Sequence, residues 1–264
     1  MKVITPVTNN IEFIKIQYYS FKKFINVPYD FIVFNDSKKF QDWTNYGDIT
    51  IHEKIINTCD ELGIECINIP NDHHKNETRP GKRHIESIEF ITKYMFENPD
   101  IYFQIDSDMF LVDFLDFNKF NKYDCAVVKQ NHTGFDYVWP NLFYFNIHNL
   151  KYKELINWDG MHGADTGGRM NKWLEMYTEN NNNLIYFIKH LPSLTWKEED
   201  IPKNITSNNL IIYLKSDPRN TKDGKFWCEI YDNNILHYRA GSNWNGEGKL
   251  LHYNLTLKLK DILT

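Results

Sequence analysis

The first 105 residues alternate between short apolar strands and amphipathic helices, and this alternation constrains the fold more than any other feature. Three helical segments carry apolar residues at spacings of three and four. Between them lie four apolar runs that read as strands: "KVITPV", "YDFIVFND", "IECINIP" and "DIYFQID". Strands of continuous apolar character suit a parallel sheet that is covered on both faces. Four such repeats predict an α/β fold with a Rossmann-like, mostly parallel central sheet flanked by helices.

Beyond residue 125 the pattern is mixed. We predict a helix in "TGGRMNKWLEMY" and a strand that runs into a loop in "NILHYRAGSNW". Further strands are predicted in "CAVVKQ", "NLFYFNIH", "NLIYFIKHL" and "NLIIYLK". No linker or low-complexity tract separates the halves. We therefore expect residues 1–264 to form a single domain with a mixed C-terminal half.

Composition and charge exclude several classes of protein. The formal net charge is −5 and no long basic run occurs, so neither nucleic acid nor an anionic membrane is expected as the main partner. The N-terminus lacks an apolar signal segment, and no stretch approaches the ~18–20 apolar residues of a transmembrane segment. The four cysteines form no CxxC pair, which favours reduced thiols. We expect a cytoplasmic protein.

Two aspartates follow the fourth predicted strand, in the stretch "YFQIDSDMFL". Asp106 and Asp108 are two residues apart, so on an extended segment their side chains project to the same side. Ligands of open parallel sheets bind beyond the carboxyl ends of the strands. Oxygen ligands favour Mg²⁺ or Mn²⁺, and such a cation would carry phosphate oxygens. The alternative is a solvated turn, but the apolar residues on both sides favour a metal site.

Several segments taken together resemble glycosyltransferases of the GT-A fold. They are "TPVTNNIEFIKIQYYSFKKF", "FIVFND", "GKRHIESIEFI" and "IDSDMF", within residues 1–115. The resemblance implies that the Asp-x-Asp holds Mn²⁺ or Mg²⁺ against a nucleotide-diphosphate sugar, the donor. Asp108 would ligate the metal directly, and Asp106 would contact the metal or the donor's ribose. Residues 1–108 would form the nucleotide-sugar-binding half and residues 109–264 the acceptor-binding half.

The same resemblance assigns donor-binding roles to other positions of the first half. A loop of Thr5, Pro6 and Val7 would line the nucleoside pocket, and Asp36 would face the base or the ribose. Arg83 lies near a helix N-terminus, which favours anions, so it would contact the diphosphate or the donor sugar. Two alternatives remain: Asp36 is a plain turn carboxylate, since "NDS" is good turn chemistry, and Arg83 is a surface arginine.

The second half supplies the remaining candidates. His237 would be a further metal ligand, although a histidine beside apolar residues is often a hydrogen-bonded core side chain. Ser242 and Asn243 follow in a polar loop that would lie close to phosphate. Asp165 is our candidate for the catalytic base, which removes the proton from an attacking hydroxyl in inverting enzymes. Its alternative role is to cap the following helix.

These features predict a metal-dependent glycosyltransferase, a hexosyl- or pentosyltransferase of glycan biosynthesis. It would transfer a sugar from a UDP- or GDP-type donor to a hydroxyl acceptor, a glycan or another molecule. One alternative is a sugar-nucleotide nucleotidyltransferase, but its glycine-rich basic loop is missing from "TPVTNN" after the first strand. The other alternative is a non-catalytic carbohydrate-binding protein with a GT-A-like fold.

Overall fold

A seven-stranded sheet forms the centre of the protein. The computed structural model describes residues 1–132, 134–161, 163–164, 166–241 and 248–264. The strand order is β3-β2-β1-β4-β7-β6-β8. The strands of this sheet are β1 Lys2–Val7, β2 Asp30–Asn35, β3 Glu65–Asn68, β4 Ile101–Ile105, β6 Cys125–His132, β7 Phe135–Asn146 and β8 Ile185–Phe187.

The four N-terminal strands pair in parallel, and so do β6 and β8, whereas β7 is antiparallel to both of its neighbours. Helices alternate with the four N-terminal strands, as the pattern predicts: α1 Ile11–Phe24, α2 Ile51–Leu62 and α3 Pro80–Glu97. The later helices are α4 Asn171–Asn181, α5 Asn208–Ser216 and α6 Gly248–Leu263. The predicted α/β fold with a mostly parallel central sheet is confirmed.

A second, antiparallel sheet of four strands adjoins the central one, in the order β5-β11-β10-β9. Its strands are β5 Met109–Leu111, β9 His190–Leu191, β10 Glu229–Tyr231 and β11 Ile235–His237. Strand β5 begins four residues after β4 ends, so the chain passes directly from the large sheet to the small one. The turn between them contains the Asp-x-Asp sequence.

One predicted strand is wrong, because "NLIIYLK" lies within helix α5. The hydroxyl of Ser207 caps this helix by accepting a hydrogen bond from the backbone N–H of Leu210. Leu210, Tyr213 and Leu214 are its buried residues, at the spacing of one helix face. A short apolar run has no periodicity of its own that separates a strand from a helix.

Successive side chains of a strand point to opposite faces of the sheet, so each face of the central sheet buries alternate residues. Val3 and Val7 of β1 belong to the apolar cluster that includes Ile14 and Phe21 of α1. Ile4 belongs to the cluster on the other face, with Ile88 of α3. All four cysteines are free thiols, as predicted. No helix in the described part of the chain is long and apolar enough to cross a membrane.

Candidate active site

The Asp-x-Asp turn is held in place by helix α1. The side-chain amide of Gln17 donates hydrogen bonds to the backbone carbonyls of Asp106 and Met109, at 2.8 and 3.1 Å. The backbone N–H of Met109 also donates to the carbonyl of Asp106, which closes the turn. Gln17 is fully buried on a helix face that is apolar except for Gln17 and Ser20. The turn is therefore fixed to the core on the side away from the site.

Asp108 is a buried carboxylate with one oxygen left without a hydrogen bond. Its Oδ2 accepts a hydrogen bond from the backbone N–H of Gly241 at 2.8 Å. Its Oδ1 lies 3.3 Å from Nε2 of His237 but accepts no hydrogen bond. A buried carboxylate oxygen without a partner is costly, so this atom is a natural ligand for a cation.

Asp106 is half-buried, and both of its carboxylate oxygens have partners. Oδ1 accepts a hydrogen bond from the backbone N–H of Ser107 at 2.8 Å, and Oδ2 accepts one from the side chain of Asn141 at 2.7 Å. Burial and the neighbouring charge of Asp108 raise the pKa of Asp106 to about 7. The remaining oxygen of Asn141 is buried without a partner. Asp106 and Asn141 thus both place oxygen atoms in the site.

His237 lies at the end of β11 between two carboxylates. Nε2 faces Asp108, and Nδ1 is 2.7 Å from Oε2 of Glu229. Burial by itself would lower the pKa of His237, but the two carboxylates raise it to about 10. Burial likewise opposes ionisation of Glu229, yet its hydrogen bond with His237 lowers its pKa to about 2. The imidazole therefore lies at a position where the two carboxylates favour positive charge.

Two cavities meet at Asp106 and Asn141, which line both. The first has a volume of about 300 Å³. The second, of about 330 Å³, also contains Asp108 and His237. The residues that line the first also include Pro6, Thr8, Asp36, Lys38, Arg83 and His84. Those that line the second also include Gln130, Trp139, Glu229, Tyr231, Arg239 and Gly241. The two cavities are thus neighbours at the Asp-x-Asp turn.

The predicted loop at Thr5, Pro6 and Val7 is wrong, because all three residues lie in β1 and pair with β2. Thr5 and Val7 are fully buried and lie on the opposite face of the strand from Pro6. Pro6 and the following Thr8 line the first cavity. Only Pro6 of the three predicted residues therefore reaches this cavity.

Asp36 follows β2 and lines the first cavity as a buried, paired carboxylate. Lys38 donates a hydrogen bond to its Oδ1 at 2.8 Å, and the side-chain amide of Asn71 donates another at 2.9 Å. Burial lowers the pKa of Lys38, although the charge of Asp36 acts in the opposite direction. The carboxylate is therefore fixed in place, and its contact with the base or the ribose of a donor stays a prediction.

Arg83 is buried, so the alternative of a surface arginine is wrong. Its guanidinium pairs with Asp42 at 2.8 Å and also donates to the backbone carbonyls of His74 and Glu77. These contacts fix the segment before α3 to the wall of the first cavity, which Arg83 lines. Its contact with a diphosphate stays a prediction.

Three predicted site residues, Asp165, Ser242 and Asn243, lie outside the described residues. Thr166, next to Asp165 in the chain, lines the first cavity. Its hydroxyl is 3.2 Å from Nδ1 of His84, which lines the same cavity. Gly241, next to Ser242, lines the second cavity.

A different group brings three metal-ligating atoms together, and the sequence analysis did not single it out. His73, His74 and Glu86 place one ligand atom each within 4.8 Å of one another, the one such group in the described part of the chain. Nε2 of both histidines lies within 2.9 Å of the same oxygen of Glu86. Nδ1 of His74 is buried without a partner. These contacts are those of two imidazoles sharing one carboxylate oxygen.

Sequence reasoning missed three residues that shape the site: Gln17, Asn141 and Glu229. Gln17 had a usable signal, because it is a polar residue on the apolar face of a predicted helix. Asn141 and Glu229 had no such signal, since Asn141 contacts Asp106 and Glu229 contacts His237 only because strands from distant parts of the chain lie side by side. Glu229 lies opposite His237 in the β10–β11 pair, and Asn141 lies in β7 beside β4.

No protein-family profile matches the chain, and no curated protein matches it. One solved structure similar to it is mouse xyloside xylosyltransferase 1 in its apo form. The identity is 10% and the TM-score 0.41, over 75% of this chain and 87% of that chain. So low a similarity does not establish a shared activity.

Proposed function

We propose that the protein is a metal-dependent glycosyltransferase that transfers a hexosyl or pentosyl group from a UDP- or GDP-type sugar to a hydroxyl acceptor. One observation carries the proposal. The carboxylate of Asp108 is buried at the carboxyl end of the sheet, beside a second aspartate and a histidine, and one of its oxygens has no hydrogen bond. A carboxylate in this position is suited to a divalent cation and the phosphates that the cation carries.

The residues present fit Mn²⁺ or Mg²⁺. Asp108 and His237 would hold the ion, because Oδ1 and Nε2 lie 3.3 Å apart and Oδ1 of Asp108 is buried without a hydrogen bond. Asp106 is committed to Asn141 and to the backbone of Ser107, so it would act from beside the ion or on the donor's ribose. When bound, the cation would neutralise the charge that develops on the departing diphosphate.

The two cavities suggest where each substrate would bind. The nucleoside would occupy the first cavity, which Pro6, Asp36 and Arg83 line, and the diphosphate would lie along the Asp-x-Asp turn. The transferred sugar and the acceptor would meet in the second cavity, which Gln130, Trp139 and Arg239 also line. Asp165 remains our candidate for the base, with Ser242 and Asn243 near the phosphates. Residues 1–264 would then act as one domain.

Thermal unfolding with nucleotides and metal tests the proposal. We would measure the unfolding midpoint with UDP, GDP, CMP or dTDP, each with and without Mn²⁺. At a nucleotide concentration of about 100 Kd, binding adds about 2.7 kcal/mol of stability, or about 5–10 °C in a chain of this size. We expect UDP or GDP to stabilise the protein only when Mn²⁺ is present.

Substitution of Asp108 tests whether the stabilisation by nucleotide and Mn²⁺ depends on this carboxylate. Asp108→Asn should abolish the shift that nucleotide and Mn²⁺ produce together. The matched control is Asp100→Asn at the opposite end of β4, where the carboxylate is 37% exposed and far from the turn. If no nucleotide shifts the wild-type midpoint, or if Asp108→Asn responds like the wild type, the proposed donor site is wrong. Release of free sugar from UDP- or GDP-sugars in the presence of Mn²⁺ separates an enzyme from a carbohydrate-binding protein.

A further inference from the structure

We propose that Glu229 is a positioning residue, which orients His237 so that Nε2 of the imidazole faces the cation site at Asp108. This inference rests on the proposed function, because it concerns the metal site of that activity. A histidine that binds a metal through one ring nitrogen usually donates the N–H of the other nitrogen to a carboxylate or carbonyl. That outer partner fixes both the tautomer and the orientation of the ring.

The contact between the two side chains has this geometry. Glu229 and His237 are directly paired residues of the antiparallel strands β10 and β11, so their side chains lie on the same face of the sheet. Nδ1 of His237 donates to Oε2 of Glu229 at 2.7 Å, while Nε2 on the other side of the ring is 3.3 Å from Asp108. A ring rotated by 180° would lose both contacts.

Glu229 is itself held in place. Its carboxylate accepts hydrogen bonds from the hydroxyl of Tyr231 at 2.9 Å and from the backbone N–H of Ser193 at 3.1 Å. The ring of Tyr231 is stacked between His190 and Trp139, with interplanar angles of 9° and 11°. The Glu229 side chain is 13% exposed. The carboxylate therefore has a fixed position before any ligand binds.

The His73–His74–Glu86 group shows the difference between an oriented ligand and a hydrogen-bonded histidine. There the carboxylate faces Nε2, the atom that a metal would need, and Nδ1 of His74 is buried without a partner. A metal on Nε2 would move the ring proton to Nδ1, where no buried acceptor receives it. At His237, in contrast, the Glu229 carboxylate contacts Nδ1 and leaves Nε2 for the metal.

Mn²⁺ affinity, measured by electron paramagnetic resonance in the presence of UDP or GDP, tests the inference without any activity assay. Glu229→Gln keeps the shape of the side chain but removes its charge, and we expect it to weaken Mn²⁺ binding at least 10-fold. Glu86→Gln is the matched control, since that carboxylate also contacts histidine, and it should bind Mn²⁺ like the wild type. His237→Ala and the double variant complete the comparison, because Glu229 is expected to act only through the imidazole.

The outcomes separate the inference from the proposed function. An at least 10-fold loss in Glu229→Gln that disappears in the His237→Ala background supports the positioning role. A loss of equal size in both backgrounds, or no loss at all, overturns that role while Mn²⁺ binding by the wild type stands. If the wild type binds no Mn²⁺ with either nucleotide, the metal site of the proposed function is overturned and the inference with it.

Discussion

At the scale of single residues, the site depends on how closely Gly241 approaches Asp108. The preceding residues, Arg239 and Ala240, have φ angles of 67° and 59°, in the left-handed region that side chains other than glycine rarely adopt. Two such residues in succession store strain, and strain of this kind concentrates at functional sites. The turn they form brings the backbone N–H of Gly241 to the Asp108 carboxylate.

Gly241→Ala should therefore damage both the fold and the site. A Cβ at this position would lie 2.5 Å from the ring of Phe13 and 2.6 Å from Cβ of Asp108. We expect unfolding in urea to show a loss of about 1–3 kcal/mol, together with weaker Mn²⁺ binding, because the turn must move away. Gly81→Ala is the control, since a Cβ there meets open space. Equal stability of the two variants would contradict the close approach.

At the scale of elements, α1 links the site to the rest of the protein. Its buried face carries Gln17 to the Asp-x-Asp turn, and its opposite side meets α6 through Glu12 and Lys260, 2.6 Å apart. The first contact is buried, whereas Glu12 and Lys260 are 19% and 31% exposed. The buried contact of Gln17 should contribute more to the stability of the folded protein than the Glu12–Lys260 pair, because water screens the exposed pair.

Gln17→Leu tests the buried contact. The substitution leaves the carbonyls of Asp106 and Met109 without their side-chain donor, and an unsatisfied buried group costs about 1–3 kcal/mol. We expect a loss of this size in the free energy of unfolding, measured by urea denaturation. Ser20→Ala, which removes a hydrogen bond inside the same helix, should cost less. A Gln17→Leu variant as stable as the wild type would show that the turn needs no donor from α1.

The Glu12–Lys260 pair predicts a dependence on pH. Burial alone would raise the pKa of Glu12, but Lys260 and Lys15 lower it overall. A lowered pKa means that the pair stabilises the folded protein fully above the ordinary glutamate pKa of about 4.3 and that this stabilisation is lost as pH falls through the lowered pKa. Lys260→Met should cost about 0.5–1 kcal/mol at pH 7 and progressively less as the pH is lowered, in urea denaturation. The exposed Lys258→Met should cost little at either pH.

At the scale of the whole molecule, the site lies where the two sheets meet. Strand β4 belongs to the large sheet and β5 to the small one, so the aspartates lie in the connection between them. Gly241 and Asp108, which are in contact, are 133 residues apart in the chain. The site therefore forms only when both sheets are folded and packed together.

Metal removal should accordingly affect ligand binding and leave the fold intact. The apolar core is large, and the backbone N–H of Gly241 holds the Asp108 carboxylate without a cation. We expect EDTA to leave the thermal midpoint of the nucleotide-free protein unchanged and to abolish the stabilisation by UDP or GDP. A drop of several degrees in the nucleotide-free protein would instead indicate a structural metal.

The sequence by itself determined the parallel half of the sheet, its helices and the position of the Asp-x-Asp turn, because strand and helix periodicities are local properties. It also indicated His237 as a candidate ligand, but not the α5 helix, whose short apolar run fits either structure. Only the tertiary structure decided that Asn141 contacts Asp106 and that Glu229 contacts His237. These contacts depend on strand order and register, which bring distant residues together and leave no local pattern in the chain.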